Sequence, residues 1–224
     1  IEDYFQKLQV GKNNFFTDIS NYLSYEIGQP THCFDADKLD GEIILKEESC
    51  KNKFKTLLGS EISLKGENCI FMNNNEIISL AGIMGGESTS CTKRTKKVLV
   101  ECAYFDPEAI IGKATSYNLS SDAAYKFERG VDINNQDLTL RRFIKIVSDH
   151  TKIRSIRLKT FKYSNFTNKT LPINVSKINN ILGTDISEAT YINLLGKLGF
   201  KFNSNIKVPS YRNDVTSQND LAEE

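Results

Sequence analysis

Residues 77–89 read IISLAGIMGGEST, an apolar run that passes into Gly82, Gly85 and Gly86, and what those glycines face decides the kind of fold. A phosphate loop needs a glycine-rich turn that opens a helix and carries Lys-Ser or Lys-Thr, or a GxGxxG directly after a strand. Neither is present, and Glu87 puts a negative charge where phosphate would sit. The local alternative is a bulge or sharp bend after a strand over residues 77–81, because glycine adopts positive φ without a Cβ clash. That reading disfavours a parallel nucleotide-binding sheet and points to antiparallel strands.

The flanking sequence agrees. Short strand-like runs at residues 42–48, 53–57, 61–64 and 69–72 are separated by turn material, including Leu58-Gly59-Ser60 and Asn73-Asn74-Asn75. They read as antiparallel hairpins. Upstream, Phe15, Ile19, Tyr22, Leu23 and Ile27 recur at helical spacing, and Gly28 and Pro30 form a stop just before His32. Downstream, residues 97–102 form another apolar strand, and Asp106-Pro107-Glu108 opens a helix with a cap, a first-turn proline and a favourable acid. Asp132 is expected to cap a long amphipathic helix through Leu138, Phe143 and Val147, followed by a strand near residues 153–161.

Polar residues 162–170, KYSNFTNKT, read as a linker, and the domains are expected to span 1–166 and 167–224. In the second, residues 171–175 read as a strand, Ser176 as the cap of a helix ending at Gly183, and Ser187 as the cap of another. Residues 200–202 and 206–208 read as a small hairpin. The expected class is α+β: a mixed and antiparallel-sheet domain with packed helices, then a small α+β domain. A unit of that second size is marginal as an independent core. The chain opens on Ile1 and stops at Glu224 inside a helical pattern, as a piece of something longer would.

At 224 residues, with 39% hydrophobic and 25% charged residues, the chain reads as soluble, with no apolar run long enough for a membrane span. A net charge of +1 excludes a broadly basic, nonspecific nucleic-acid binder. Lys93, Arg94, Lys96 and Lys97 form a local patch that either touches phosphate or solvates a turn. Five cysteines without a CxxC pair suggest neither a disulfide framework nor a zinc site, so a reducing cytoplasm is expected. The sequons at Asn118, Asn165, Asn168 and Asn174 are what an Asn-rich chain produces by chance.

Among candidate functional residues, Glu101 stands out within VLVECAYF, since a buried carboxylate is costly unless paired. It is either an ion-pair partner of Arg129 or Lys126, or an acceptor awaiting a ligand's donor. His32 lies in irregular chain after a helix, as a functional residue or as a buried or capping histidine. His150 ends a helix and reads as structural. Asp220, Glu223 and Glu224 fall toward one side of a helix, with Asp214 upstream; they are hard oxygen ligands suited to magnesium, or an acidic helix start.

Taken together and in order, GQPTHCFDADKLDG, SLAGIMGGEST, VLVECAYFDPEAI and YKFERGVD resemble the beta subunit of bacterial phenylalanyl-tRNA synthetase. Its tRNA-editing domain is the likeness from about residue 13 to 161. ILGTDIS, LGKLGF, VPSYRND and DLAEE resemble the small domain that follows it. The family joins phenylalanine to tRNA(Phe) with ATP and Mg2+ at a synthetic site in the alpha subunit, commonly as an alpha2-beta2 heterotetramer. The resemblance implies no membrane partner and no ATP bound by this fragment.

It also implies that the first domain hydrolyses tyrosine misattached to tRNA(Phe). Glu101 matches the glutamate that accepts the tyrosyl hydroxyl, and Gly85 the loop glycine beside the same group. Pro30 and His32 match the rim that positions the ester and the tRNA end, and Ala123 a wall of the pocket for the tyrosine or phenylalanine moiety. Ser121 stands where the family has threonine, keeping the hydroxyl and losing a methyl. No side chain is an obvious nucleophile, which implies attack by water, with His32 orienting. Thr115 and Ser116 replace paired arginines, weakening attraction for RNA, and Asn118 replaces a glycine in a left-handed turn. Asp214, Asp220, Glu223 and Glu224 match magnesium carboxylates. The competing implication is a structural or tRNA-binding segment whose editing has been lost.

Overall fold

A computed structural model describes residues 1–162 and 166–224. The chain divides into two compact units, Ile1–Val131 with Asn135–Ile156, and Asp132–Asn134 with Arg157–Glu224.

The first unit opens with α1 (Glu2–Leu8) and α2 (Phe15–Glu26). Asn14 starts α2 by accepting the Thr17 N–H at 3.1 Å, and Gly28 at φ 80° turns the chain out of it. Phe16, Ile19 and Leu23, spaced three and four apart, bury one face against Phe143, Ile146 and Val147 of α6 (Gln136–His150). The chain emerging from α2 becomes β1 (His32–Asp35), which pairs antiparallel with β8 (Val98–Glu101).

Between these strands lie β2 (Ile43–Ser49), β3 (Lys53–Lys55), β4 (Glu61–Ser63), β5 (Glu67–Asn73), β6 (Glu76–Leu80) and β7 (Met84–Gly85). The main sheet runs β2-β5-β6-β7, with β3–β4 as a separate hairpin inserted between β2 and its partner. Asn74 and Asn75 both have positive φ, as a two-residue hairpin turn requires. The glycine-rich stretch is the tight connection from β6 to β7, with Ser79 opposite Gly85 and Gly82 at φ 69°. It is a hairpin, and it opens no helix.

After β8 come α3 (Pro107–Ile110), α4 (Lys113–Ser116) and α5 (Asp122–Glu128). Asp106 caps α3, and Asn118 takes φ 53°, the left-handed conformation expected there. Phe34, Ile70, Ile78, Leu80, Phe105 and Phe127 form the core that joins sheet and helices.

The second unit contains β9 (Thr170–Pro172), α7 (Val175–Leu182), α8 (Glu188–Lys197), β10 (Lys201–Phe202), β11 (Asn205–Lys207) and α9 (Gln218–Glu223). Its sheet order is β10-β11-β9, all antiparallel, covered by Ile178, Tyr191, Leu195 and Leu221.

Several expected boundaries differ. Asp132 does not cap the long helix: its Oδ1 accepts the Asn134 N–H at 2.9 Å, a local turn that competes with helix initiation. The helix starts at Gln136 instead. The strand near 153–161 does not form, since no ladder partner exists for it among the described residues and Ile156, Leu158 and Phe161 are exposed. The strand at 171–175 ends at Pro172, and Asn174, not Ser176, caps α7 by accepting the Lys177 N–H at 3.0 Å. Part of the expected linker, residues 163–165 with the Asn165 sequon, lies outside the described residues.

Candidate functional site

β1 begins at His32 and β8 ends at Glu101, two of the candidate site residues. In their register His32 is directly opposite Glu101, so both side chains project from one face of the ladder. Each carries a buried polar atom with no hydrogen-bond partner, His32 Nε2 and Glu101 Oε1. Burial pushes the Glu101 carboxyl up to about 7, partly offset by the Ala103 N–H. Burial pushes His32 down to about 4, so the imidazole is neutral at pH 7. His32 as a residue is only half-buried, but Nε2 itself is closed from solvent, and that atom determines the shift.

The ion-pair alternative for Glu101 fails. Arg129 stacks 3.5 Å above the Tyr125 ring and donates to the Tyr125 carbonyl, while Lys126 lies over Tyr25. Neither bonds to the carboxylate.

Gly85 closes against the same place. A Cβ on it would overlap His32 Cε1 and stand 2.8 Å from His32 Nε2 and 2.7 Å from Leu57 Cδ1. Only glycine lets the backbone reach the imidazole. Gly86 is constrained differently, since its Cβ would lie 2.7 Å from the Ile78 carbonyl oxygen. Glu87 is paired with Lys55 at 2.6 Å.

Gln29, singled out by no sequence rule, fixes the rim. It is 1% exposed, and its Nε2 donates to the Pro30 carbonyl at 2.9 Å and the Ala103 carbonyl at 3.0 Å. Its Oε1 accepts from Gln136 Nε2 at 3.0 Å. One amide therefore ties the loop before His32 to the chain after Glu101.

Pro30 is buried at this rim. Ser121 lies at the start of α5, where its Oγ donates to the Ile83 carbonyl at 2.6 Å and accepts the Ala124 N–H at 3.1 Å. Its hydroxyl anchors the glycine connection. Ala123 is half-buried against the same core. His150 accepts its expected structural place, with Nδ1 2.7 Å from the Ile146 carbonyl at the helix end. The cleft of about 460 Å³ lies elsewhere, lined by Phe54, Lys55, Asn74, Ile77 and Glu87, and touches neither His32 nor Glu101. The orphaned atoms lie outside that open volume.

In the second unit the acidic residues are occupied. Arg212 Nε and Nη2 donate to Asp214 at 2.9 and 2.6 Å, and the same guanidinium pairs with Glu224. Asp220 Oδ2 accepts the Thr216 and Ser217 N–H groups, both at 2.8 Å, in a capping box. Glu223 is exposed. No group of three or more His, Cys, Asp or Glu poised for a metal occurs among the described residues. As arranged here, the carboxylates serve a guanidinium and a helix start.

Among the described residues, no helix is long and apolar enough to cross a membrane. The model of the B3/4 domain family matches residues 3–152. The chain belongs to the B3/4 domain family. The tRNA synthetase B5 domain matches residues 171–224, so B3/4 is followed by B5. The phenylalanine–tRNA ligase beta subunit of Psychrobacter arcticus is 32% identical over 219 residues, 95% of this chain and 27% of that protein. The beta subunit of Francisella tularensis is 33% identical over 224 residues, 96% of this chain and 28% of that protein. This B3/4–B5 chain thus spans about a quarter of the length of those relatives. An N-terminal fragment of the phenylalanyl-tRNA synthetase beta subunit from Pyrococcus horikoshii aligns with a TM-score of 0.42 and 15% identity, over 93% of this chain and 63% of that one.

Proposed function

We propose that residues 1–166 are the tRNA-editing domain of a phenylalanine–tRNA ligase beta subunit, and 167–224 the small domain that follows it. The local reaction is hydrolysis of tyrosine from mischarged tRNA(Phe). The observation that carries this reading is the pair of orphaned buried atoms on directly opposed residues, His32 Nε2 and Glu101 Oε1, beside Gly85.

A phenolic hydroxyl supplies the donor that Glu101 Oε1 lacks. Phenylalanine would leave that oxygen unpaired, which costs about 1–3 kcal/mol, roughly 5- to 150-fold in preference for tyrosine. His32, neutral at pH 7, orients the ester through a hydrogen bond and carries no charge into the site. Water adds to the ester carbonyl, the bond to the ribose oxygen breaks, and tyrosine and tRNA with a free terminal hydroxyl leave. Proximity supplies the rate, since no activated nucleophile stands in the site. Ser121 is assigned to hold the glycine connection through Ile83, with Pro30 and Ala123 as rim and wall.

The complete ligase would use ATP and Mg2+ with an alpha subunit, in an alpha2-beta2 assembly, to charge tRNA(Phe) with phenylalanine in the cytoplasm. Magnesium at Asp214, Asp220, Glu223 and Glu224 would require Arg212 to move aside, and no step here runs through it.

The test mixes the folded chain with tyrosyl-tRNA(Phe) and phenylalanyl-tRNA(Phe) and follows release of each amino acid. Selective release of tyrosine, erased by Glu101→Ala, is expected. Equal or absent release of the two would leave the competing reading, a structural or tRNA-binding segment with lost or weakened editing, which is motivated by the lost methyl at Ser121 and the missing arginines.

A further inference from the structure

The hydrolytic reading makes no use of the turn that leads into β8. Residues 90–97, SCTKRTKK, hold four cations and no acid. The chain's net charge is +1, so the four charges here leave −3 for everything else. The turn is a compact basic cluster, and residues 152–162 hold a second, with five cations and no acid.

The turn is also held in shape from beneath. Thr95 Oγ1 donates to Asp35 Oδ2 at 2.6 Å and accepts the Thr92 N–H at 2.9 Å. The Arg94 N–H donates to Thr92 Oγ1 at 3.1 Å, and Lys38 Nζ reaches the Ser90 carbonyl at 2.8 Å. Asp35 is 7% exposed, so the anchor is buried while the cations are not. Lys93, Arg94 and Lys96 have no ion-pair partner among the described residues, and Lys97 has only exposed Asp37 at 3.8 Å. The anchor satisfies the buried Asp35 carboxylate, and it also fixes the spacing of the exposed charges above it, as a charged docking surface requires.

We propose that residues 92–97 dock the phosphate backbone of RNA, without reading its bases, at the end of β8 opposite to Glu101. Lys97 precedes Glu101 by four residues, about 13 Å of extended strand. A tRNA whose tyrosyl hydroxyl reached Glu101, with its ester held at His32, would have backbone within reach of the turn. The choice of RNA over an acidic protein therefore rests on the editing reading; the electrostatics rest on the turn alone. The turn also supplies cations on a chain that has Thr115 and Ser116 where paired arginines were expected.

The experiment uses the full chain and uncharged tRNA(Phe), so no hydrolysis is involved. Binding is followed by fluorescence anisotropy across a salt series, for wild type and for a Lys93→Gln, Arg94→Gln, Lys96→Gln variant. Each lost phosphate contact removes about 0.7–0.9 from the slope of log K against log salt, so a slope shallower by about 2 is expected, with the melting temperature unchanged. An unchanged slope, or no RNA binding by wild type at low salt, would overturn the proposal. So would tighter binding of polyglutamate than of tRNA through the same residues, which would make the partner an acidic protein. Salt-dependent RNA binding without tyrosine release would leave the docking surface standing and sink the editing reading instead.

Discussion

His32 and Glu101 stand directly opposite each other in the β1–β8 ladder, and burial moves their protonation equilibria in opposite senses. Glu101 rises from 4.5 to about 7, so its contribution is fully present below pH 4.5 and is lost as pH climbs through 7. His32 falls from 6.5 to about 4, so its contribution is present above pH 6.5 and is lost as pH falls through 4. Each swing is on the order of 3 kcal/mol, and between these limits the two slopes oppose. The nearby thiols of Cys33, Cys69 and Cys102 are all pushed upward by burial and do not titrate there.

Single substitutions should therefore reveal slopes that the wild-type pair masks. Glu101→Gln should gain stability from pH 4 to 6.5, with His32 alone in control. His32→Asn should lose stability from pH 4.5 to 7. Urea unfolding at several pH values decides this, and slopes of the same sign in the two variants would refute opposed burial.

Gly85 and Gly86 are adjacent but should not respond alike. A methyl on Gly85 meets side chains, His32 and Leu57, which can rotate away, whereas one on Gly86 meets the Ile78 backbone carbonyl. Gly86→Ala should cost about 3 kcal/mol or more of unfolding free energy, and Gly85→Ala about 1–2. On the proposed editing function, Gly85→Ala should still lose nearly all tyrosine release, because it displaces the imidazole assigned to orient the ester. A stable and fully active Gly85→Ala protein would remove this glycine from the site.

Gln29 supports both halves of the site through one side chain. Gln29→Leu should leave the Pro30 and Ala103 carbonyls without their donor and cost roughly 2–4 kcal/mol in stability. Gln29→Glu should be worse, since a carboxylate would face two carbonyl oxygens. Thermal unfolding ranks the three proteins, and equal stability of the leucine and wild-type chains would show that the clamp contributes nothing.

The candidate site was legible where identity alone constrains geometry. Gly85 announces close backbone approach, and Glu101 in an apolar strand announces a buried carboxylate. Gln29 was not legible, because a neutral amide in a loop declares no chemistry until its two carbonyl partners, one distant in sequence, are placed around it. The same distinction holds for the fold. Asp106 and Ser187 act as caps over a few residues and could be read locally. The absent strand at 153–161 could not, because a strand is defined by a partner and its own residues carry only half of that information. Asp132 failed as a cap for a related reason: Asn134 offered it a nearer hydrogen bond.

Arg212 makes the acidic end of the second unit testable without any reference to catalysis. Its guanidinium holds the Asp214 and Glu224 carboxyls below the usual range and so occupies the place a cation would take between them. Magnesium should therefore leave the melting temperature of the wild-type chain almost unchanged. Arg212→Gln should lower it by leaving two like charges close together, and millimolar magnesium should then recover part of the loss, because a divalent ion replaces the missing positive charge. Calcium and sodium at matched ionic strength separate coordination from screening. Magnesium stabilising the wild-type chain instead would mean that Arg212 yields to the metal and that the four carboxylates come together around it. Recovery by sodium alone would reduce the cluster to ordinary surface electrostatics.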